Sequence, residues 1–352
     1  MNTVSILSDA DIRKARADNP KLRERDLATN LGISEARLIH AFEGESARRL
    51  RADVDAIISG LPGVGEVMAL TRNACAVHEK TGPYENARLG GHVAVVLGAQ
   101  IDLRIFRSQW VHAFAVEKKL GESTLRSIQV FDAHGDAVHK VFTRQDTDMA
   151  AWSDLVDALA TDAPQDPVNA APRIAPEPSR LGEDDVARLR ADWAAMTDTH
   201  QVAGLLRGSG LSKGALMRHL APQFATRLMD DAIESLLRIA ANESLPIMVF
   251  VRNPGCLQVH SGPISALKKV GPWFNVMDPG FHLHLHTDKI ASVWAVRKPS
   301  ADGEVMTIEA FADDGSPIIM INGVSADNDQ TGSEWRILVE GLPRMHFNGS
   351  DR

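Results

Sequence analysis

Histidines, arginines and lysines set the chemistry open to this sequence. His200 stands in LRADWAAMTDTHQVAGLLRGSGLS, whose apolar spacing predicts a helix. A neutral imidazole on a rigid helix suits iron ligation, although a surface or capped histidine fits the same spacing. Arg104 lies in IDLRIF, where strand alternation sets Arg104 and Phe106 opposite Leu103 and Ile105. An arginine and an aromatic on one face suit a pocket wall. The same alternation also describes an ordinary solvent-facing sheet surface. FHLHLHTD places His282, His284 and His286 on one strand face, with His260 as a fourth candidate for zinc or copper. Successive positions on such a face lie about 6.5–7 Å apart, too far for three rings to share one ion without bending. The spacing therefore favours a polar pocket wall over a dedicated metal site.

LATNLGISEARLIHAF has the spacing of a helix-turn-helix, but its second helix, SEARLIHAFEGE, is acidic enough to oppose phosphate docking. The shape recurs at 204–219, which favours helical-hairpin architecture over DNA reading. No GxGxxG, P-loop, GxSxG or HExxH occurs in a suitable context, which argues against nucleotide-binding enzymes and serine hydrolases.

The elements that must position these residues occur twice. VMALTRNACAVHEKTGP (67–83) matches IMVFVRNPGCLQVHSGP (247–263) at a constant offset of 252 − 72 = 180, which continues to Gly135/Gly315. Near the end of each copy WSDLVDAL answers WRILVEGL at 335 − 152 = 183. A period this long is a domain duplication rather than a solenoid. In each copy helical spacing (9–59, 183–241) gives way to short Val/Ile/Phe runs (65–143, 246–322) and then a closing helix (147–160, 333–342). That order predicts an α+β fold with two large antiparallel sheets flanked by helices. The first repeat is expected over 1–165, a Pro/Ala-rich linker over 166–180 and the second repeat over 181–352. Matching the Gly-Ile-Ser break at 32–34 to Gly-Leu-Ser at 210–212 aligns His200 with Leu22, so the histidine belongs to one copy only.

Composition limits the function classes. In 352 residues, 44% are apolar and 24% charged, enough for a sizeable core. A net charge of −8 argues against general nucleic-acid or anionic-membrane binding. Cys75 and Cys256 form no CxxC pair and read as reduced, buried thiols. No secretory signal and no apolar stretch of about 20 residues is visible, so a cytoplasmic protein without membrane insertion is expected.

The sequence resembles the HemS/HmuS type of bacterial hemin-degrading and hemin-transport proteins over essentially its whole length. KLRERDLATNLGISEARL, WAAMTDTHQ, IDLRIF and, above all, GPWFNVMDPGFHLHLHTDKIASVWAVRKP carry the resemblance. It implies one haem in a cleft between the repeats, with His200 as the iron ligand. Arg104 resembles the distal, catalytic arginine and Phe106 a pocket aromatic. Lys213 and Lys298 look like propionate partners, and Phe250 like a residue packed on the porphyrin. Ser325 stands where relatives often carry arginine. The implied function is oxidative haem degradation, or haem carriage to a separate oxygenase; a DNA-binding regulator ranks last. An electron donor or a haem acceptor is the implied protein partner, and the chain is expected as a monomer or dimer.

Overall fold

The computed structural model describes residues 7–161, 168, 181–301, 303–324 and 329–345. Apart from Val168, the expected linker over 166–180 lies outside them, as does Ser325.

In the first repeat, helices α1 (Asp9–Asp18), α2 (Glu24–Leu31) and α3 (Glu35–His40) precede strand β1 (Ala47–Leu50) and helix α4 (Val54–Gly60). Then follow β2 (Gly65–Arg72), β3 (Ala76–Gly82), β4 (Ala87–Arg88), β5 (Val93–Leu97), β6 (Asp102–Phe106), β7 (His112–Leu120), β8 (Ser123–Phe131), β9 (Ala137–Thr147) and α5 (Met149–Leu159). The second repeat runs α6 (Glu183–Ala194), α7 (Val202–Ser209), α8 (Lys213–Leu220), β10 (Ala225–Leu228), α9 (Ala232–Asn242), β11 (Ile247–Arg252), β12 (Cys256–Gly262) and β13 (Leu267–Val270). It continues with β14 (Trp273–Asp278), β15 (Phe281–His286), β16 (Ser292–Ser300), β17 (Gly303–Phe311), β18 (Pro317–Gly323) and α10 (Asp329–Gly341). The α+β reading holds. Strands β1 and β10 correct it locally, because each lies inside a stretch expected to be helical. ARRL and ATRL are too short to show a period in sequence, and their pairing with β7 and β16 makes them strands.

Two compact units result, and each includes a hexapeptide from the other repeat. Unit 1 takes Met1–Arg72, Glu79–Ile174 and Asn253–Gln258; unit 2 takes Asn73–His78, Ala175–Arg252 and Val259–Arg352. The two hexapeptides sit at the 180-residue offset, so the exchange is reciprocal. The duplicated Arg-Asn pair fastens it. In unit 2 Asn73 Oδ1 accepts from the backbone N–H groups of Cys75 and Ala76, while its Nδ2 donates to the carbonyls of Arg252 and Ile318. In unit 1 Asn253 repeats this with Gly255 and Cys256 as donors and Arg72 and Val138 as acceptors.

Unit 1 centres on the antiparallel run β1-β7-β8-β9-β2, which ends on the Glu79–Gly82 half of β3. One face (Ala69, Val141, Ile128, Val130) packs under α4 and α5; the other (Phe114) lies under α1–α3. A separate run, β4-β5-β6, adds Ala94, Val96, Leu103 and Ile105 to the first of these cores. Unit 2 repeats the plan with β10-β16-β17-β18-β11 under α9 and α10 on one side and α6–α8 on the other, and with the run β13-β14-β15. Trp193 of α6 is fully buried and donates from Nε1 to the Arg297 carbonyl at 2.9 Å. Burying such an aromatic contributes about 1.5–3 kcal/mol. Cys75 and Cys256 are both buried, and neither is in a disulfide.

Candidate functional site

His200 sits on a single 3-10 turn, Thr199–Gln201, leading into α7, and not within the α-helix its spacing suggested. The segment between α6 and α7 is too short and polar to continue either helix, and it is closed by a capping box. Asp198 accepts from the His200 N–H, while the Gln201 side chain accepts from the N–H groups of Thr197 and Asp198. The Ala301 N–H, at the β16–β17 turn, fastens the Thr197 carbonyl at 2.8 Å. Within this frame the ring is 92% exposed, and its Nδ1 lies 2.7 Å from Asp198 Oδ1. The His200 backbone N–H and then the ring hold the Asp198 carboxyl below its usual range. An ionised acceptor makes Nδ1 the protonated nitrogen, so the Nε2 lone pair points outward. This carboxylate–imidazole pairing orients metal-ligating histidines in general.

Lys213 and Lys298 meet on one carboxylate. Lys298 Nζ donates to Glu309 Oε1 at 2.5 Å, and Lys213 Nζ forms an ion pair with Oε2 at 2.6 Å. Glu309 is 1% exposed. Burial pushes its carboxyl up, but the two lysines outweigh burial and bring it down to about 2. Burial likewise lowers the Lys213 ammonium, and Glu309 opposes that shift.

The first repeat also sets one carboxylate between two cations, but there the residue at the helix start is the carboxylate. Glu35, first residue of α3, pairs with Lys140 Nζ at 2.5 Å and with Arg72. Lys213 is the first residue of α8. A carboxylate there is stabilised by the positive end of the helix dipole, and an ammonium is destabilised by it. Lys213 is held at its helix start against the helix field by the ion pair with Glu309.

Phe250 lies half-buried on β11, in register with Met320 and through it with Glu309, so it shares their sheet face. It stands on the floor beside the lysine–glutamate cluster. In unit 1, Arg104 and Phe106 are half-buried, while Leu103 and Ile105 are fully buried as the alternation required. Arg104 pairs across to Val95 and Phe106 to the exposed Val93, which makes an apolar face carrying a guanidinium. Asp102 forms an ion pair with that guanidinium.

The structure thus brings Lys213, Lys298 and Phe250 to one sheet face of unit 2 and holds His200 at the β16–β17 turn of the same unit. Arg104 and Phe106 share a face of unit 1. Sequence reasoning missed Asp198 and Glu309; the sequence does set Asp198 two residues before His200, the one available signal. The helical pair α2–α3 fails as a DNA reader because Glu35, Ala36, Leu38 and Ile39, four of the six residues of α3, are buried. Among the described residues no helix is long and apolar enough to cross a membrane.

An exposed imidazole held by a carboxylate, two lysines on one buried glutamate and a half-buried phenylalanine beside them stand on a duplicated α+β scaffold. Comparison with known proteins gives the family. The model described as "Haemin-degrading HemS.ChuX domain" matches residues 32–159 and 210–342, once in each repeat. The chain belongs to that family. It is 40% identical over 325 residues to the hemin transport protein HemS of Yersinia enterocolitica, covering 92% of this chain and 93% of that one. Among solved structures it matches holo-PhuS, a heme-binding protein from Pseudomonas aeruginosa, at a TM-score of 0.89 and 40% identity, over 96% of this chain and all of that one. ChuS, an E. coli heme oxygenase, matches at a TM-score of 0.86 and 33% identity, over 94% and 99% of the two chains.

Proposed function

We propose that this chain binds one haem in a cytoplasmic haem-utilisation pathway, with His200 as the iron ligand, and opens the porphyrin oxidatively to release iron. The observation that carries the reading is the His200 ring, fixed through Nδ1 by Asp198 so that Nε2 is presented outward. Lys213 and Lys298 supply cations for the two propionates, their charge maintained by Glu309. A propionate that meets such an ammonium forms a charge-assisted hydrogen bond of about 1.5–3 kcal/mol. Phe250 adds apolar contact with the ring. Haem is the substrate and brings the iron; the protein binds it, orients it and donates hydrogen bonds. Arg104 is the distal donor, released from Asp102 toward the substrate, and Phe106 lines its surroundings. Electrons come from a partner protein or a diffusible reductant.

The names of the relatives favour a second reading equally directly. HemS is called a transport protein and ChuS a haem oxygenase, and a carrier would use the same binding residues to pass haem on intact. One experiment separates the two. Reductant is added to the aerobic hemin complex and the Soret band is followed. Stoichiometric loss of the band with release of iron and a linear tetrapyrrole supports degradation. An unchanged band, with haem transfer to an acceptor, supports carriage. Arg104→Ala should retain hemin and slow the loss; an unaltered rate removes Arg104 from the reaction.

A further inference from the structure

The β5–β6 face that carries Arg104 has a counterpart in unit 2, on the hairpin β14–β15. At the 180-residue offset His284 occupies the place of Arg104, His282 that of Asp102 and Asn275 that of Val95. The strand alternation is kept: Phe281, Leu283 and Leu285 are buried, and His282, His284 and His286 are half-buried on the other face. The ion pair of one repeat is thus an imidazole pair in the other.

One ring of the pair is fixed by a hydrogen bond to an amide. Asn275 donates from Nδ2 to the carbonyls of Lys268 and Trp273, so its Oδ1 is the acceptor end of the amide. That oxygen lies 2.7 Å from His284 Nδ1. His284 therefore donates from Nδ1, which makes Nε2 the nitrogen that a metal would take. A neutral imidazole fixed by a hydrogen bond at one nitrogen is the form that ligates metal at the other. The His282 and His284 rings are tilted toward one another, with centroids 6.2 Å apart, and they bring nitrogens within 4.8 Å. A tetrahedral ion with Zn–N bonds of about 2.0–2.1 Å needs two such nitrogens roughly 3.4 Å apart, a gap that small side-chain rotations close. His286 takes no part: its ring packs edge-on against Trp273 at 4.8 Å. The spacing objection to three histidines on one strand therefore does not apply to the first two.

We infer that His282 and His284, aligned by Asn275, form a binding site for a divalent transition-metal ion on the β14–β15 hairpin, separate from the haem residues. Two imidazoles and no thiolate suit Zn²⁺, Cu²⁺ or Ni²⁺ over Ca²⁺ or Mg²⁺. Its remaining coordination positions fall to water or carboxylate oxygen.

The test uses the full chain purified without haem and titrated with Cu²⁺, followed by electron paramagnetic resonance and calorimetry. One equivalent should bind with superhyperfine splitting from two nitrogens. His282→Gln and His284→Gln should each abolish the two-nitrogen signal, and Asn275→Ala should weaken binding about 10-fold, as loss of a residue orienting a ligand does. His286→Gln should leave signal and affinity unchanged. Zn²⁺ should displace the Cu²⁺, and Mg²⁺ should not. An undiminished signal in the His282→Gln/His284→Gln double variant, with circular dichroism matching the parent chain, would overturn the inference. So would the absence of a saturable first equivalent in the parent chain.

Discussion

At the scale of single residues, the functional reading turns on which atoms are already engaged. Nδ1 of His200 is committed to Asp198, and the exposed ring offers its other nitrogen. Asp198→Ala should therefore leave the fold intact but weaken hemin affinity about 10- to 100-fold, the usual cost of losing a residue that orients a metal ligand. Hemin titration by absorbance measures this. Lys213 is informative for the opposite reason: it stands where Glu35 stands in the other repeat, at a helix start that favours a carboxylate. Aligning the repeats exposes the charge reversal only if the helical offset of 178 replaces the 180 that holds through the strands. Even then Glu309 is invisible, because it answers Gln129 and reaches both lysines only through the sheet. Long-range ion clusters have no period for a sequence to display.

At the scale of elements, the two repeats share strands but not the groups between them. In unit 1 the ring of His139 lies between the hydroxyls of Thr71 and Tyr84, at 3.0 and 2.6 Å, under a stacked Trp110. Two hydroxyls can supply the one donor and one acceptor that a neutral imidazole requires. Burial lowers the His139 pKa to about 3 and raises that of the nearby Cys256 thiol to about 12. Unit 2 places Val251, Ile264 and Ile319 at the corresponding positions, all buried. The sign of the pH effect follows. His139 stays neutral in the folded chain while the unfolded chain takes up a proton below about pH 6.5. Stability is thus complete above that value and declines by about 1.4 kcal/mol per unit as the pH falls toward 3. Urea unfolding at pH 7.5 and pH 5 should show this decline in the parent chain and a shallower one in His139→Gln. The strands themselves were legible, since alternation marks one buried face; β1 and β10 were not, being four residues long between helices. The sequence suggests a helix at His200 because the periodicities of α6 and α7 run up to it from both sides, and a capped turn between them has no period of its own.

At the scale of the molecule, the duplication was plain in the sequence and the exchange of hexapeptides was not. A repeat read as a contiguous half assigns 73–78 and 253–258 to the wrong units. Only the fold shows that Cys256 completes the core of unit 1, and Cys75 and Ala76 that of unit 2. Each repeat produced alone should consequently unfold at lower urea than the full chain, and mixing the two should recover part of the loss. Chemical denaturation of the separate and mixed halves checks this. Haem binding is the central claim, and the most direct measurement is an absorption titration of the parent chain and His200→Ala with hemin. The parent should give a saturable one-to-one Soret spectrum, and the variant a shifted, broadened band with weakened retention. Superimposable spectra and affinities for the two proteins would contradict this.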